Sequence, residues 1–180
     1  MIIRVAHTQR KGGTAAIVGI GLWLMSYGYE DHPPYPPANV CSNQTILIDG
    51  VRKFNNAQIV HMIGAMVDEH LTDKVFLLAE ADRTFPPRSW HDPKQTKALI
   101  GVQQDEKLGN CIIYDSHLRG VDVLLDSATQ IEIVCEYRPF YDRIDCEVTW
   151  LHDMIPHVSM AINHVSEVIF PYYYTREPVT

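Results

Sequence analysis

The sequence lacks the excess of positive charge that many nucleic-acid-binding proteins carry. Its 180 residues include 15 lysines and arginines against 22 aspartates and glutamates, so the net charge at neutral pH is −7. This balance excludes a generally basic surface. Any contact with DNA would therefore have to come from a local cationic patch.

Paired metal-ligand and disulfide motifs are also missing. The four cysteines form no CxxC pair, and the nine histidines form no HxxxH or HExxH motif. We therefore expect no structural metal site. Cys111 and Cys135 lie inside apolar, strand-like runs, which predicts reduced thiols in the core of a protein of a reducing, cytoplasmic compartment.

No apolar run is long enough to cross a membrane as a helix. Ala15–Met25 (AAIVGIGLWLM) follows Arg10 and Lys11 and so resembles the charged and apolar regions of a signal peptide. The run is too short for a transmembrane helix, and no small-residue cleavage pattern follows it. A buried helix is the favoured interpretation, a signal peptide is the alternative, and we expect no membrane partner.

The order of the apolar runs predicts an α/β fold. Short strand-like runs alternate with longer segments of helical spacing, which is typical of a three-layer parallel sheet with helices on both faces. The length suits one domain. The predicted strands are 2–6, 45–48, 75–78, 111–114 and 130–135, and the predicted helices are 14–27, 55–70, 94–108 and 121–128.

Two segments depart from this alternation. The stretch Asp31–Asn43 contains four prolines, which predicts a loop that is neither helix nor central strand. After Tyr137, the segments Ile144–Leu151 and Val165–Tyr174 alternate like antiparallel strands. We therefore divide the domain into a core, 1–137, and a small C-terminal antiparallel β extension, 138–180.

A glycine loop between the first strand and the first helix is the first candidate site. The phosphate-binding pattern GxxxxGK[ST] laid over 7–14 matches at Gly12 and Thr14. Gly13 stands in place of the lysine, and His7 stands in place of the first glycine. The residues predicted to bind nucleotide are Arg10, Lys11, Gly12, Gly13 and Thr14, where Lys11 or Arg10 substitutes for the missing lysine and Thr14 contacts Mg²⁺. The alternative is a tight turn without a ligand.

The ends of two further strands carry candidate catalytic residues. The run Val75–Leu78 is followed by Ala79-Glu80 where such folds usually have Asp-Glu. Glu80 is therefore predicted to orient the attacking water, whereas Ala79 cannot bind a metal; a solvated carboxylate is the alternative for Glu80. After the strand that begins at Cys111, Asp115 or Ser116 could sense the γ-phosphate, and Ser116 is our predicted catalytic residue at this strand end.

Three segments, Ile2–Met25, Val75–Arg88 and Gly109–His117, resemble P-loop ATPases of the viral genome-packaging and DNA-translocase type, above all phage-borne and archaeal members. The resemblance implies binding of ATP and Mg²⁺, homo-oligomeric assembly and movement of double-stranded DNA. Phosphoryl transfer in this class depends on positioning and electrostatics. For a phage-borne protein, the implied location is the host cytoplasm.

The departures from that family leave three interpretations open. Gly13, Ala79 and Asp126, the last at a position where an arginine would serve a neighbouring subunit, favour a weak ATPase or a degenerate domain that acts in interaction or assembly. The third interpretation is an unrelated α/β enzyme whose glycine loop is only a turn.

Cations cluster after the second candidate site. Arg83, Arg88, Lys94 and Lys97 are the predicted DNA contacts, because such contacts need positive charges against phosphates. An ordinary exposed loop is the alternative.

Overall fold

The computed structural model describes residues 1–7, 12–29, 32–66, 68–87, 92–103, 108–117, 121–152 and 155–173. Its strands are β1 (Ile2–His7), β2 (Val40–Ser42), β3 (Arg52–Lys53), β4 (Val75–Leu78), β5 (Cys111–His117), β6 (Ile131–Arg138), β7 (Arg143–Trp150) and β8 (Val158–Asn163). Its helices are α1 (Gly13–Tyr27), α2 (Asn56–Ala65), α3 (Ala81–Thr84), α4 (Pro93–Gln103), α5 (Val123–Ser127) and α6 (Val165–Val168).

All eight strands form one sheet in the order β3-β2-β4-β5-β1-β6-β7-β8. The pairs from β3 to β6 are parallel, and β7 and β8 add two antiparallel strands at one edge. The predicted three-layer α/β fold with a C-terminal antiparallel strand set is confirmed. The division at residue 137 remains a prediction.

The central strands are apolar throughout because both faces of the sheet are covered. Val75 and Leu77 of β4 pack into a core under α1, whereas Phe76 and Leu78 pack into a second core formed with α2, α3, α4 and α5. Neighbouring residues of a strand point to opposite faces, so one run of four apolar residues serves both cores.

The first helix packs very closely on the sheet. A Cβ on Gly21 would lie 2.8 Å from Leu77 Cδ1, and a Cβ on Gly19 would lie 2.9 Å from Ile169 Cδ1. The helix is therefore enclosed by the sheet on one side and by the C-terminal segment on another. This enclosure explains why its sequence is apolar on almost every face, as expected from the buried-helix interpretation.

Three secondary-structure predictions were wrong. The proline-rich segment contains β2, a strand inside the sheet, because its last proline, Pro37, lies before Val40 and leaves the strand amides free to donate. The predicted strand 45–48 contributes only an isolated bridge between Ile46 and Tyr173. In the segment 165–174, the described residues form α6 and a 3₁₀ turn, and the C-terminal edge strand is β8 instead.

The cysteines agree with the prediction of reduced thiols in the core. All four cysteines are free and buried. Within the described parts of the chain, no helix is both long and apolar enough to cross a membrane, and no cluster of potential metal ligands is found.

Candidate nucleotide-binding site

The ends of three adjacent strands meet at one edge of the sheet. β4, β5 and β1 are neighbours and run parallel, so their carboxyl ends lie side by side. His7 ends β1, Glu80 follows β4, and Asp115 lies near the end of β5. This edge is where open α/β sheets bind ligands.

The glycine loop leads directly into the buried helix. Gly12 precedes α1 with φ +91° and ψ 17°, a left-handed conformation that favours glycine. Gly12 itself has no side chain that could cap this end of α1. The first N–H groups of a helix have no partner within it, and they lie at the positive end of the helix dipole, which suits a phosphate. Arg10 and Lys11 lie outside the described residues, so their assignment remains a prediction.

Gly13 is in contact with the ring of His7. A Cβ on residue 13 would lie 2.1 Å from Cδ2 and 2.3 Å from Nε2 of His7. The imidazole therefore occupies the space in which a side chain at position 13 would begin. The two mismatches with the phosphate-binding pattern, at positions 7 and 13, are sterically coupled.

Asp115 connects the three strand ends. Its carboxylate is buried, with the residue 2% exposed, and its Oδ1 accepts a hydrogen bond from the Glu80 backbone N–H. Its Oδ2 lies 3.4 Å from Thr14 Oγ1 and 3.6 Å from His7 Nε2. A buried carboxylate thus lies beside the hydroxyl group at the start of α1.

The backbone at Ala79 is held by the side chain of Asn43. The Asn43 amide donates to the Ala79 carbonyl and accepts from the Ala79 N–H, both at 2.8 Å. Asn43 is completely buried, and it also donates to Asn56 Oδ1 at 3.1 Å. These two hydrogen bonds fix the backbone at the end of β4, although the methyl side chain of residue 79 cannot bind a metal.

The Glu80 carboxylate is engaged outside the cluster around Asp115. The residue has φ +51° and ψ 54°, and its Oε2 lies 2.8 Å from Arg83 Nε in an ion pair that is partly exposed. Its backbone, not its carboxylate, contacts Asp115. The role of Glu80 in orienting water therefore remains a prediction.

Ser116 lies on the opposite face of β5 from Asp115, because successive residues of a strand alternate. It is buried, at 4% exposed. The structure brings Asp115 to Thr14 and does not bring Ser116 there. The period of two along β5, combined with the position of α1, is the signal that distinguishes the two residues.

Three of the four predicted DNA-contacting cations lie near α2 and α4. Arg83 and Lys94 line a depression of about 270 Å³ together with His61 and Asp92. Lys97 forms an ion pair of 2.6 Å with Asp68, and Arg88 lies outside the described residues. The acidic neighbours reduce the local positive charge, and contact with DNA remains a prediction.

Asp126, noted above as a departure from the family, has a structural partner. It pairs with Arg4 of β1, which also contacts Glu132 of β6. These groups lie on the face of β1 opposite to α1.

Comparison with known proteins finds solved structures of similar fold but with little sequence identity to this chain. No family model and no curated protein matches the sequence. The structure is similar to the N-terminal domain of zonular occludens toxin from Neisseria meningitidis, with a TM-score of 0.67 and 13% identity over 96% of this chain and 98% of that chain.

A viral protein has the same fold. The genome packaging NTPase B204 from Sulfolobus turreted icosahedral virus 2, in complex with ATP-gammaS, matches with a TM-score of 0.52 and 10% identity over 76% of this chain and 75% of that chain. Its sulfate complex matches with a TM-score of 0.58 and 9% identity over 88% and 94%. The α/β fold implied by the sequence resemblance is confirmed, and this chain shares it with that packaging NTPase.

Proposed function

We propose that this domain binds a nucleoside triphosphate with Mg²⁺ at the N-terminus of α1. The observation that carries the proposal is the position of the buried Asp115 carboxylate, 3.4 Å from the Thr14 hydroxyl and next to a glycine that opens the helix. The shared fold with a packaging NTPase that was solved with ATP-gammaS supports the same site.

The donor atoms at this point suit Mg²⁺. The ion prefers hard oxygen ligands and is usually held by one or two carboxylates together with phosphates. Thr14 and Asp115 offer a hydroxyl and a carboxylate, which would hold the ion. The bound ion would neutralise charge that develops on the phosphates during transfer.

Asp115 compensates for the alanine at position 79. In the register of β4 and β5, Leu78 lies opposite Tyr114, so Asp115 follows at the level of residue 79 on the neighbouring strand. A carboxylate from β5 can therefore occupy the region that the usual aspartate on β4 would serve. The substitution at Ala79 need not abolish metal binding.

His7 compensates in the same way for the lysine that is missing at position 13. Its Nε2 would lie 2.3 Å from a Cβ on residue 13, so the imidazole stands at the beginning of the path that a lysine would follow. We expect its ring N–H, together with Lys11 or Arg10 of the loop, to donate to the phosphates. A charge-assisted hydrogen bond of this kind contributes about 1.5–3 kcal/mol.

The proposed biological role is slow or regulated ATP hydrolysis that drives DNA translocation or genome packaging in a homo-oligomer in the cytoplasm. The sequence resemblance and the shared fold with a packaging NTPase support it. The observations that favour the alternative, an assembly module without turnover, are the apolar Ala79 and the engagement of Glu80 with Arg83.

Calorimetry of ATP binding with and without Mg²⁺ tests the proposal. Asp115→Asn keeps an oxygen that can accept from the Glu80 N–H but removes the negative charge, so we expect only the Mg²⁺-dependent part of the affinity to disappear. Asp126→Asn, on the other face of β1, is the matched control and should bind as the wild type does. Absence of ATP binding by the wild-type chain would favour the assembly module.

A further inference from the structure

The two edges of the sheet differ in their protection against other strands. The β3 edge has only two residues, Arg52 and Lys53, and both are exposed cations. Short, charged edges are the usual means by which proteins prevent unwanted strand pairing. The β8 edge has six residues, VSMAIN, with neither a charge nor a proline. It has none of these protective features.

The exposed side chains of β8 extend the core to this open edge. Met160 and Val158 are 53% and 42% exposed. In the register with β7, they lie opposite Cys146 and Val148, which are buried beneath α1. The apolar row of the core therefore continues onto a strand whose second side has no strand neighbour among the described residues.

We propose that a second copy of this chain pairs with β8 in the antiparallel direction about a two-fold axis at Met160. Directly opposite residues in an antiparallel pair share one face of the sheet. In this register, Met160 meets the partner's Met160, and Val158 meets the partner's Ile162, all in the apolar row. On the other face, Ser159 meets the partner's Ala161.

The strand is complementary to itself, which is what a two-fold interface requires. Pairing would remove the exposed apolar surface of Met160 and Val158 from water. Two acidic residues of β7 lie near this edge, Asp145 and Glu147, and Glu147 accepts hydrogen bonds from Ser159 of the same chain. In the proposed register, Glu147 lies level with the partner's Asp145, three strand spacings or about 14 Å away. That distance exceeds the Debye length of about 8 Å at physiological ionic strength.

This interface is independent of the nucleotide site. β8 and β1 are separated in the sheet by β6 and β7, and neither Thr14 nor Asp115 contributes to the pairing. Failure of ATP binding would therefore leave this proposal unaffected, and a monomeric chain would leave the nucleotide proposal unaffected.

Sedimentation equilibrium of the full chain, without nucleotide, is the first test. We expect a monomer–dimer equilibrium that Met160→Lys weakens at least about tenfold, because a buried charge opposes association. Ile100→Lys is the control, because Ile100 is 46% exposed and lies on α4, which packs with α2 and α5. A wild-type monomer at all accessible concentrations, or a dimer that Met160→Lys leaves unchanged, would overturn the proposal.

Cysteine cross-linking tests the register. Under an added oxidant such as dissolved oxygen with a copper catalyst, two Met160→Cys chains should lose two protons and two electrons to the oxidant and form one disulfide. Ser159→Cys is the control, since residue 159 meets the partner's Ala161 and its own copy lies two residues away. The four native cysteines are buried. Equal cross-linking of both variants, or of neither, would contradict the proposed axis.

Discussion

The ring of His7 covers Gly13 so closely that any side chain at position 13 would collide with it. The nearest approach, from a Cβ on residue 13 to His7 Cδ2, would be 2.1 Å. The histidine and the glycine are therefore one coupled departure from the phosphate-binding pattern. A change at one position has to be matched at the other.

Gly13→Lys alone should destabilise the fold. Because the His7 ring would have to move, we expect the free energy of unfolding to fall by about 1–3 kcal/mol, the usual cost of overpacking. His7→Gly combined with Gly13→Lys should recover that stability and strengthen ATP binding. Urea denaturation and calorimetry measure the two effects. Equal stability of Gly13→Lys and the wild type would show that His7 is not confined as we describe.

Asn43→Ala should be among the more damaging substitutions of a polar residue. It leaves both the N–H and the C=O of Ala79 without their side-chain partner in a buried position, at a cost of about 1–3 kcal/mol for each group. Denaturant unfolding measures the loss. Asn39→Ala, which removes one partly exposed bond to Lys74, is the control and should cost about 0.5 kcal/mol or less.

Arg83→Ala should release the Glu80 carboxylate. If Glu80 orients water, steady-state ATP hydrolysis should rise in Arg83→Ala and disappear in Glu80→Gln, with ATP affinity retained in both. Stability should change by less than about 1 kcal/mol, because the pair is partly exposed. Unchanged hydrolysis in Glu80→Gln would favour the solvated-carboxylate alternative.

Stability should fall at alkaline pH. Burial is the main cause that raises the pKa of Cys135 to about 12 and that of Cys146 to about 11, from 9.0. At a pH between 9.0 and these raised pKa values, the unfolded chain has lost thiol protons that the folded chain retains. The folded state therefore binds more protons, and the free energy of unfolding decreases as pH rises above about 9.

The double variant Cys135→Ala, Cys146→Ala tests whether these two thiols cause the loss of stability at alkaline pH. It should unfold with a shallower dependence on pH between about 9 and 11, since both titrating thiols are gone. Buried Tyr114 and Tyr173, whose pKa burial likewise raises to about 12, should maintain a residual slope above pH 10 in both proteins. An identical slope in the variant and the wild type would assign the effect to other groups.

The cations beside α4 can be tested through the salt dependence of DNA binding. If Lys94 and Lys97 contact phosphates, replacing each by alanine should weaken binding for all sequences and reduce the salt slope by about one per contact. Arg52→Ala on the β3 edge is the control and should leave the slope unchanged. If the variant with both lysines replaced binds DNA as the wild type does, Lys94 and Lys97 do not contact DNA.

The central strands and the first two helices could be predicted from the sequence because burial on two faces produces unmistakable apolar runs. Val75–Leu78 is such a run. The small β2 was missed because four prolines dominate the segment that contains it. At the C-terminus, β8 was missed although its residues VSMAIN alternate with a period of two, because the aromatic residues after Val165 resemble a strand more strongly. The described ones among those aromatic residues lie in a short helix and a turn.

The strands β1, β4, β5 and β6, the helices between them, and the polar residues at the strand ends were determined by the sequence alone, because hydrophobic period and turn residues are local properties. Which of Asp115 and Ser116 reaches Thr14 was decided by the tertiary structure, since it depends on the face of β5 that α1 covers. The contact between His7 and Gly13 was decided in the same way. Such relationships arise from packing between elements, and no spacing along the chain encodes them.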